Sequence, residues 1–259
     1  MNKPVKGDGT VGKALEILDA VAQVGRPVRF SELLEESPHP KATLYRFLQT
    51  LTNQGMLSYD EDRQCYSLGL RLVRLAHSAW QQSSLAPLAQ PLLDQLAAEV
   101  GETIHLAQME NGQVLFVDKR KTTDRFDTLA QAGRVAPAHC TGVGKAILAF
   151  MTPERLERAL KQQSFMRYTA TTHPDAETMI AEFDQIRAEG VAYDREEHEE
   201  GIISIAAPIF TDAGKVIGAV SIASSTNRNS IETLSAHRER LIETTTQIGA
   251  AASAWQFPS

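Results

Sequence analysis

The chain has 259 residues, a net charge of -6, and is 42% hydrophobic and 22% charged. That is long for one domain, comfortable for two, and too apolar for global disorder. No run approaches the roughly 20 apolar residues of a membrane helix, and Met1 to Thr10 lacks the apolar core of a signal peptide, so a cytoplasmic protein is expected.

The two cysteines, Cys65 and Cys140, lie far apart, which argues against a disulfide framework and agrees with a reducing compartment. The acidity is uneven. Residues 1–84 hold ten Lys/Arg and nine Asp/Glu, a net of +1, whereas the remainder holds sixteen and twenty-three, a net of -7. A wholly basic nucleic-acid binder is excluded, and any phosphate contacts fall to a few local residues of the N-terminal part.

Val11 to Val24 reads as a helix with Leu15, Leu18 and Ala22 on one side, ended by Gly25 and Pro27. Phe30 to Glu36 is a short second helix with Ser31 as its expected N-cap. After the turn Ser37-Pro38-His39-Pro40, a third helix runs to Gln54 with Gly55 behind it, and Pro40 suits its first turn. Leu44, Phe47, Leu48 and Leu51 fall at i, i+3, i+4 and i+7 and define its buried face. Met56 to Tyr59 and Gln64 to Leu68 alternate as strands around the polar Asp60-Glu61-Asp62-Arg63, a hairpin that would form a wing. Leu68 to Gln82 reads as a linker helix that also meets a partner subunit, with Leu72, Leu75, Ala76, Ala79 and Trp80 among its apolar residues.

Ser83-Ser84 and Pro87 mark the expected boundary: residues 1–68 as a first domain, 69–84 as the linker and 85–259 as a second domain. Leu85 to Val100 is amphipathic. Strands are expected over Thr103 to Met109 and Gln113 to Lys119, joined by the hairpin turn Glu110-Asn111-Gly112, and over Phe126 to Ala130. Helices follow over Gly142 to Phe150, from Thr152-Pro153-Glu154 onward, over Asp175 to Glu189 and over Ser230 to Ala252, with strands Ile203 to Phe210 and Val216 to Ala223 before the last. Strand pairs interspersed with helices predict an antiparallel sheet flanked by helices, an α+β domain.

A helix buried on one side, with hydrogen-bonding side chains near an exposed N-terminal end, is what major-groove reading requires. Lys41 and Arg46 can reach guanine edges or phosphates, Gln49 can pair with adenine, and Thr43 and Tyr45 can meet phosphate oxygens. Arg63 at the hairpin tip can enter the minor groove, and Arg26 and Arg29 can touch the backbone. The opposing reading of the same residues is a solvated face on a helical domain.

Nearly the whole chain resembles the IclR family of bacterial transcriptional regulators. The resemblance rests on Val11-Gly12-Lys13-Ala14-Leu15-Glu16-Ile17-Leu18, Lys41 to Leu48, Tyr66-Ser67-Leu68-Gly69, His139 to Ala149 and Glu196 to Gly201, in that order. It implies a winged helix-turn-helix joined by a helix to a GAF-like effector domain. It also implies a homodimer or homotetramer that binds a palindromic operator in double-stranded DNA and responds to a small organic acid. The family's usual Ser before Thr is Ala42 here, which removes one hydroxyl contact. By resemblance, Gly142 and Val143 offer backbone amides to an effector carboxylate, Ser204 and Ser221 add hydroxyls, and Asp194 accepts from an effector hydroxyl. Ala223 stands where serine is common, leaving a larger and less polar pocket. Ser204 and Ser221 also alternate with isoleucine and valine, so they can equally occupy the second face of a sheet.

Other chemistries find less support. Gly144-Lys145 looks like part of a phosphate loop, but that motif's first Gly falls at His139 and its Ser or Thr at Ala146. His139, Cys140 and His198 lack the spacing of a structural zinc site, and Glu196 to Glu200 reads as a solvated turn. No nucleophile-base-orienter set is visible, so an enzyme carrying a DNA-binding appendage is the runner-up, beside a metal or redox sensor acting through Cys140. No cofactor and no metal are expected. The effector, the operator and the sign of regulation stay open.

Overall fold

The computed structural model describes residues 9–83, 85–121 and 128–254. The chain divides into two compact units, Met1–Gln82 and Ser83–Ser259.

In the first unit, α1 (Gly9–Val24), α2 (Phe30–Glu36) and α3 (Lys41–Asn53) enclose a small core with a three-stranded sheet, β1 (Val28–Arg29), β2 (Leu57–Asp60) and β3 (Cys65–Leu68), in the order β1-β3-β2. Ile17, Leu18 and Val21 of α1 meet Leu33 of α2 and the predicted stripe Leu44, Phe47, Leu48 and Leu51 of α3. Fully burying each such side chain contributes about 1.5–3 kcal/mol, which lets helices this short persist. The hairpin β2–β3 is the expected wing, and its register pairs Tyr59 with Tyr66. β1 was not expected from the sequence; it pairs Val28 with Tyr66.

Two caps differ from expectation. Pro40 sits just ahead of α3 and its carbonyl accepts from the Thr43 and Leu44 amides. Arg29, rather than Ser31, precedes α2, and its N–H donates to Glu32 Oε1 at 3.0 Å. The carboxylate of Glu32 closes the turn from the far side, so the Ser31 hydroxyl is not needed there. α4 (Leu70–Ser83) follows, and its sequence is amphipathic. None of its described side chains is buried: Leu70 is 84% exposed and Val73 65%.

The second unit is built on a six-stranded, wholly antiparallel sheet. Its strands are β4 (Thr103–Glu110), β5 (Gln113–Arg120), β6 (Val135–Pro137), β7 (Ala192–Arg195), β8 (Ile202–Phe210) and β9 (Val216–Ser225), in the order β6-β5-β4-β9-β8-β7. The β4–β5 turn places Asn111 and Gly112 at φ 48° and 74°, the left-handed pair that a tight two-residue hairpin requires. The helices are α5 (Ala86–Val100), α6 (Gly142–Leu148), α7 (Pro153–Lys161), α8 (Ala176–Ile180), α9 (Phe183–Glu189), α10 (Ile231–Ser235) and α11 (Arg238–Ala254). α5 and α11 pack on the sheet and on each other, and α6 packs on β7, β8 and β9.

The expected third strand, Phe126 to Ala130, falls partly on residues 122–127, outside the described residues; 128–130 are not strand, and β6 takes the place beside β5. The long helices expected over 175–189 and 230–252 are each broken, at 181–182 and 236–237. Among the described residues no helix is long and apolar enough to cross a membrane.

Candidate functional site

The exposed side of α3 carries Lys41, Tyr45 and Arg46, with Thr43 and Gln49 half-buried. Tyr45 stands edge-on to Phe30 at 6.1 Å between ring centres, and the two join Lys41, Ala42, Tyr59 and Tyr66 around a cleft between α3 and the wing strands. The Arg46 guanidinium lies 5.4 Å from the Phe47 ring centre, a cation–π contact that holds its stem along the helix. Gln49 hydrogen-bonds to Tyr66, so its amide is shared with the wing. Arg63 is exposed at the tip of the wing, and its N–H donates to Asp60 Oδ1 at 3.0 Å. Arg26 is bound to Glu32 at 2.6 Å. That ion pair is exposed and offsets the charge that Arg26 would bring to a phosphate. Arg29 is exposed beside it.

The second site follows from strand register. Asp194 pairs with Ser204, Ser204 with Ala223 and Ala223 with Thr103 across β7, β8, β9 and β4, while Ser221 pairs with Ala206 and His105. In a pleated sheet such partners share a face. That face carries Ser204, Ser221, His105 and Ala223; the alternate residues Ile203, Ile205, Val220 and Ile222 point to the other. α6 lies against the polar face so closely that a methyl at Gly142 would stand 2.8 Å from Ser204 Oγ. Any larger residue at 142 obliges the Ser204 hydroxyl to turn away. The Thr141 hydroxyl caps α6 by accepting from the Gly144 N–H at 3.3 Å. The amides of Gly142 and Val143, in the first turn, have no helical carbonyl ahead of them.

Gly142, Val143, Asp194, Ser204, Ser221 and Ala223 all line one cavity. Sequence reasoning missed His105, Phe116, Thr128, His198 and Glu199, which also line it. His105 is 3% exposed, with Nδ1 3.4 Å from Ser221 Oγ and Nε2 3.2 Å from Thr128 Oγ1. A signal for it existed: His105 is a polar residue between the apolar Ile104 and Leu106 in the first half of an expected strand. The cavity volume is only about 40 Å³, room for about one water.

The turn after β7 departs from the solvated turn read from sequence. Glu197 is 3% exposed and Lys145 is fully buried, with its Nζ 2.5 Å from Glu197 Oε1 and 2.8 Å from Glu182 Oε2. His173 Nε2 lies 3.4 Å from Glu182 Oε1 and 3.7 Å from Glu197 Oε2. These three residues could hold a metal ion, yet Lys145 already supplies the positive charge that the two carboxylates need. Desolvation opposes ionisation of Glu182, but hydrogen bonds and charge from His173 and Lys145 hold its carboxyl down at about 2. Burial pushes Asp194 the other way, to about 7. Glu197 adds to that rise, while the Glu197 N–H and Lys145 oppose it. His139 is fully buried with Nε2 3.1 Å from the Met166 carbonyl. Burial raises the Cys140 thiol, helped by Asp194 and Glu197. A buried thiol that resists ionisation is a poor redox sensor.

A winged helix presenting a polar helix face, followed by a unit with a small polar cavity, defines a DNA-binding regulator with a sensory domain. Residues 10–61 match the IclR helix-turn-helix domain and residues 77–250 match the bacterial transcriptional regulator IclR C-terminal domain. The chain belongs to the IclR family of bacterial transcriptional regulators. It is similar to the HTH-type transcriptional regulator BhcR of Paracoccus denitrificans, with 32% identity covering 92% of this chain and 85% of that one. It is 30% identical to the HTH-type transcriptional regulator KdgR of Escherichia coli over 100% of this chain and 98% of that one. In fold it matches an IclR homologue of Microbacterium hydrocarbonoxydans complexed with 4-hydroxybenzoate, at TM-score 0.81 and 23% identity, over 95% of this chain and 100% of that one.

Proposed function

We propose that this regulator senses a small hydroxylated or aromatic carboxylate in the cavity between α6 and the sheet, and that the ligand changes its affinity for a palindromic operator. The observation that carries the reading is the convergence of Gly142, Val143, Asp194, Ser204, Ser221 and Ala223 on one buried space. Two amides at the start of α6 and hydroxyls from two strands supply donors for an anion without a lysine in the pocket. Asp194 suits a ligand with a polar group some distance from its carboxylate. Because the cavity is about 40 Å³, far below the roughly 300 Å³ of typical ligand pockets, the binding-competent state is a more open one. The ligand then acts by selecting it.

Operator reading falls to Lys41, Thr43, Tyr45, Arg46 and Gln49 of α3, with Arg63 on the wing and Arg26 and Arg29 at the backbone. A second copy of the chain covers the exposed apolar residues Leu70, Val73 and Leu75 of α4, giving the two-fold symmetry that a palindrome mirrors. The protein then acts in the cytoplasm as a homodimer or homotetramer, with residues 1–68 as the DNA-binding domain, 69–84 as the linker and 85–259 as the effector domain.

A thermal-shift screen of organic acids, beginning with 4-hydroxybenzoate, tests the sensory half. A binder at 100 times its Kd adds about 2.7 kcal/mol of stability. Ser204→Ala is expected to remove most of the shift. An acid that stabilises wild type and Ser204→Ala equally binds elsewhere, and the cavity assignment then fails.

A further inference from the structure

Lys145 is the one fully buried lysine among the described residues. It stands one turn after the glycine that seats α6 on the sheet, and it points at the turn that carries Asp194. Glu197 Oε1 receives Lys145 Nζ at 2.5 Å and the Arg195 N–H at 3.4 Å, while the Glu197 N–H donates to Asp194 Oδ1 at 2.8 Å. The same turn is held from outside. The Thr169 hydroxyl donates to the Glu196 carbonyl at 2.6 Å, and the Thr172 hydroxyl donates to the Glu197 carbonyl at 2.6 Å. Glu196 keeps a φ of 62°, a left-handed conformation that a non-glycine residue retains only where its surroundings over-determine it.

We propose that Lys145 and Glu197 are positioning residues for the effector cavity: their buried pair locks the Asp194 turn onto α6 and sets the charge that Asp194 presents to a ligand. The inference rests on the cavity reading given above. The groups facing Asp194 are Glu197, Glu199 and His198 of its own turn, Lys145 of α6, Cys140 just ahead of α6, and His105 of β4. Glu182 and His173 stand behind Lys145. The Glu197 charge favours a protonated Asp194, and the Lys145 charge favours an ionised one. Burial supplies the larger part of the rise, and on top of it these two opposing charges decide where about neutrality Asp194 changes state. Protonated, it donates to a ligand carbonyl or carboxylate; ionised, it accepts from a ligand hydroxyl. The pair therefore decides which end of a hydroxylated acid the turn can recognise.

The test is a carboxyl titration of the full-length, ligand-free protein by carbon-13 NMR with labelled aspartate. The Asp194 signal is identified by its loss in Asp194→Asn. In the wild type its midpoint is expected near neutral pH. Glu197→Gln removes the like charge and is expected to lower the midpoint by about one pH unit or more, a tenfold change in proton affinity. Lys145→Gln removes the opposite charge and is expected to raise it, by less than Glu197→Gln lowers it. Opposite displacements establish the assignment. A merely structural pair would lower stability in both variants and leave the midpoint unmoved or displaced in one direction, and either result overturns the proposal. If Lys145→Gln does not fold, the isosteric Glu197→Gln decides alone, and an unmoved or raised midpoint refutes it. No ligand enters this measurement, so its failure is separate from that of the cavity reading, which the organic-acid screen tests.

Discussion

Replacing Asp194 by Asn removes a buried titrating group while keeping its shape, and the consequence for stability has a definite sign. The Asp194 carboxyl is held at about 7 in the fold against an ordinary 3.8, mainly by burial with Glu197 adding to the rise. A raised carboxyl means that the folded state prefers the proton. Its contribution is therefore full below the unfolded value, declines as pH rises towards about 7, and is flat above. Between pH 5 and pH 7 the two protonation curves are separated throughout, and at about 1.4 kcal/mol per pH unit the wild type loses about 3 kcal/mol. Asp194→Asn has nothing to ionise and does not lose it. Urea unfolding of both proteins at pH 5 and pH 8, followed by circular dichroism, is expected to show the variant gaining about 3 kcal/mol on the wild type across that interval. Parallel stabilities at the two pH values would refute the reasoning, because they would mean that Asp194 is solvated or already ionised in the fold.

Two further expectations concern the separate units. Lys41→Ala with Arg46→Ala is expected to weaken operator binding, the loss of a base-reading Arg46 costing about 1–3 kcal/mol and relaxing specificity at one position; unchanged affinity in an electrophoretic titration of the folded double variant would remove α3 from the interface. A fragment of residues 84–259 carries its own sheet and both helical layers, so it is expected to be soluble and to melt cooperatively in calorimetry, whereas a molten fragment would show that the two units fold as one.

The sequence discloses this molecule unevenly, and the reasons are physical. α3 was legible because Leu44, Phe47, Leu48 and Leu51 repeat at the helical period and all become buried. The hairpin β4–β5 was legible because Asn111-Gly112 fixes a left-handed turn between alternating strands. β1 was missed because a two-residue strand carries no period to detect, and β7 because the charged Asp194 sits on its buried face and hides the alternation. The helix read over 175–189 hides its break because nothing local marks residue 182; Glu182 sits there with its carboxylate turned to Lys145, a partner 37 residues away. The six cavity residues came from family resemblance, and strand register explains why they converge. Lys145 reads in the sequence only as part of an incomplete phosphate-loop pattern. Its burial becomes visible only when the acidic turn at Glu197, which also looks solvated, folds over it.

The central claim is that a ligand in the α6 cavity controls DNA binding, and operator titrations with and without the stabilising acid test it most directly. Wild type and Ser221→Ala are measured side by side by calorimetry and by operator binding. The acid is expected to change wild-type operator affinity several-fold or more, a coupling of about 1–3 kcal/mol. Ser221→Ala is expected to bind the acid more weakly yet bind the operator normally in its absence. An acid that binds the cavity with full affinity and leaves operator affinity unchanged in the wild type would contradict it.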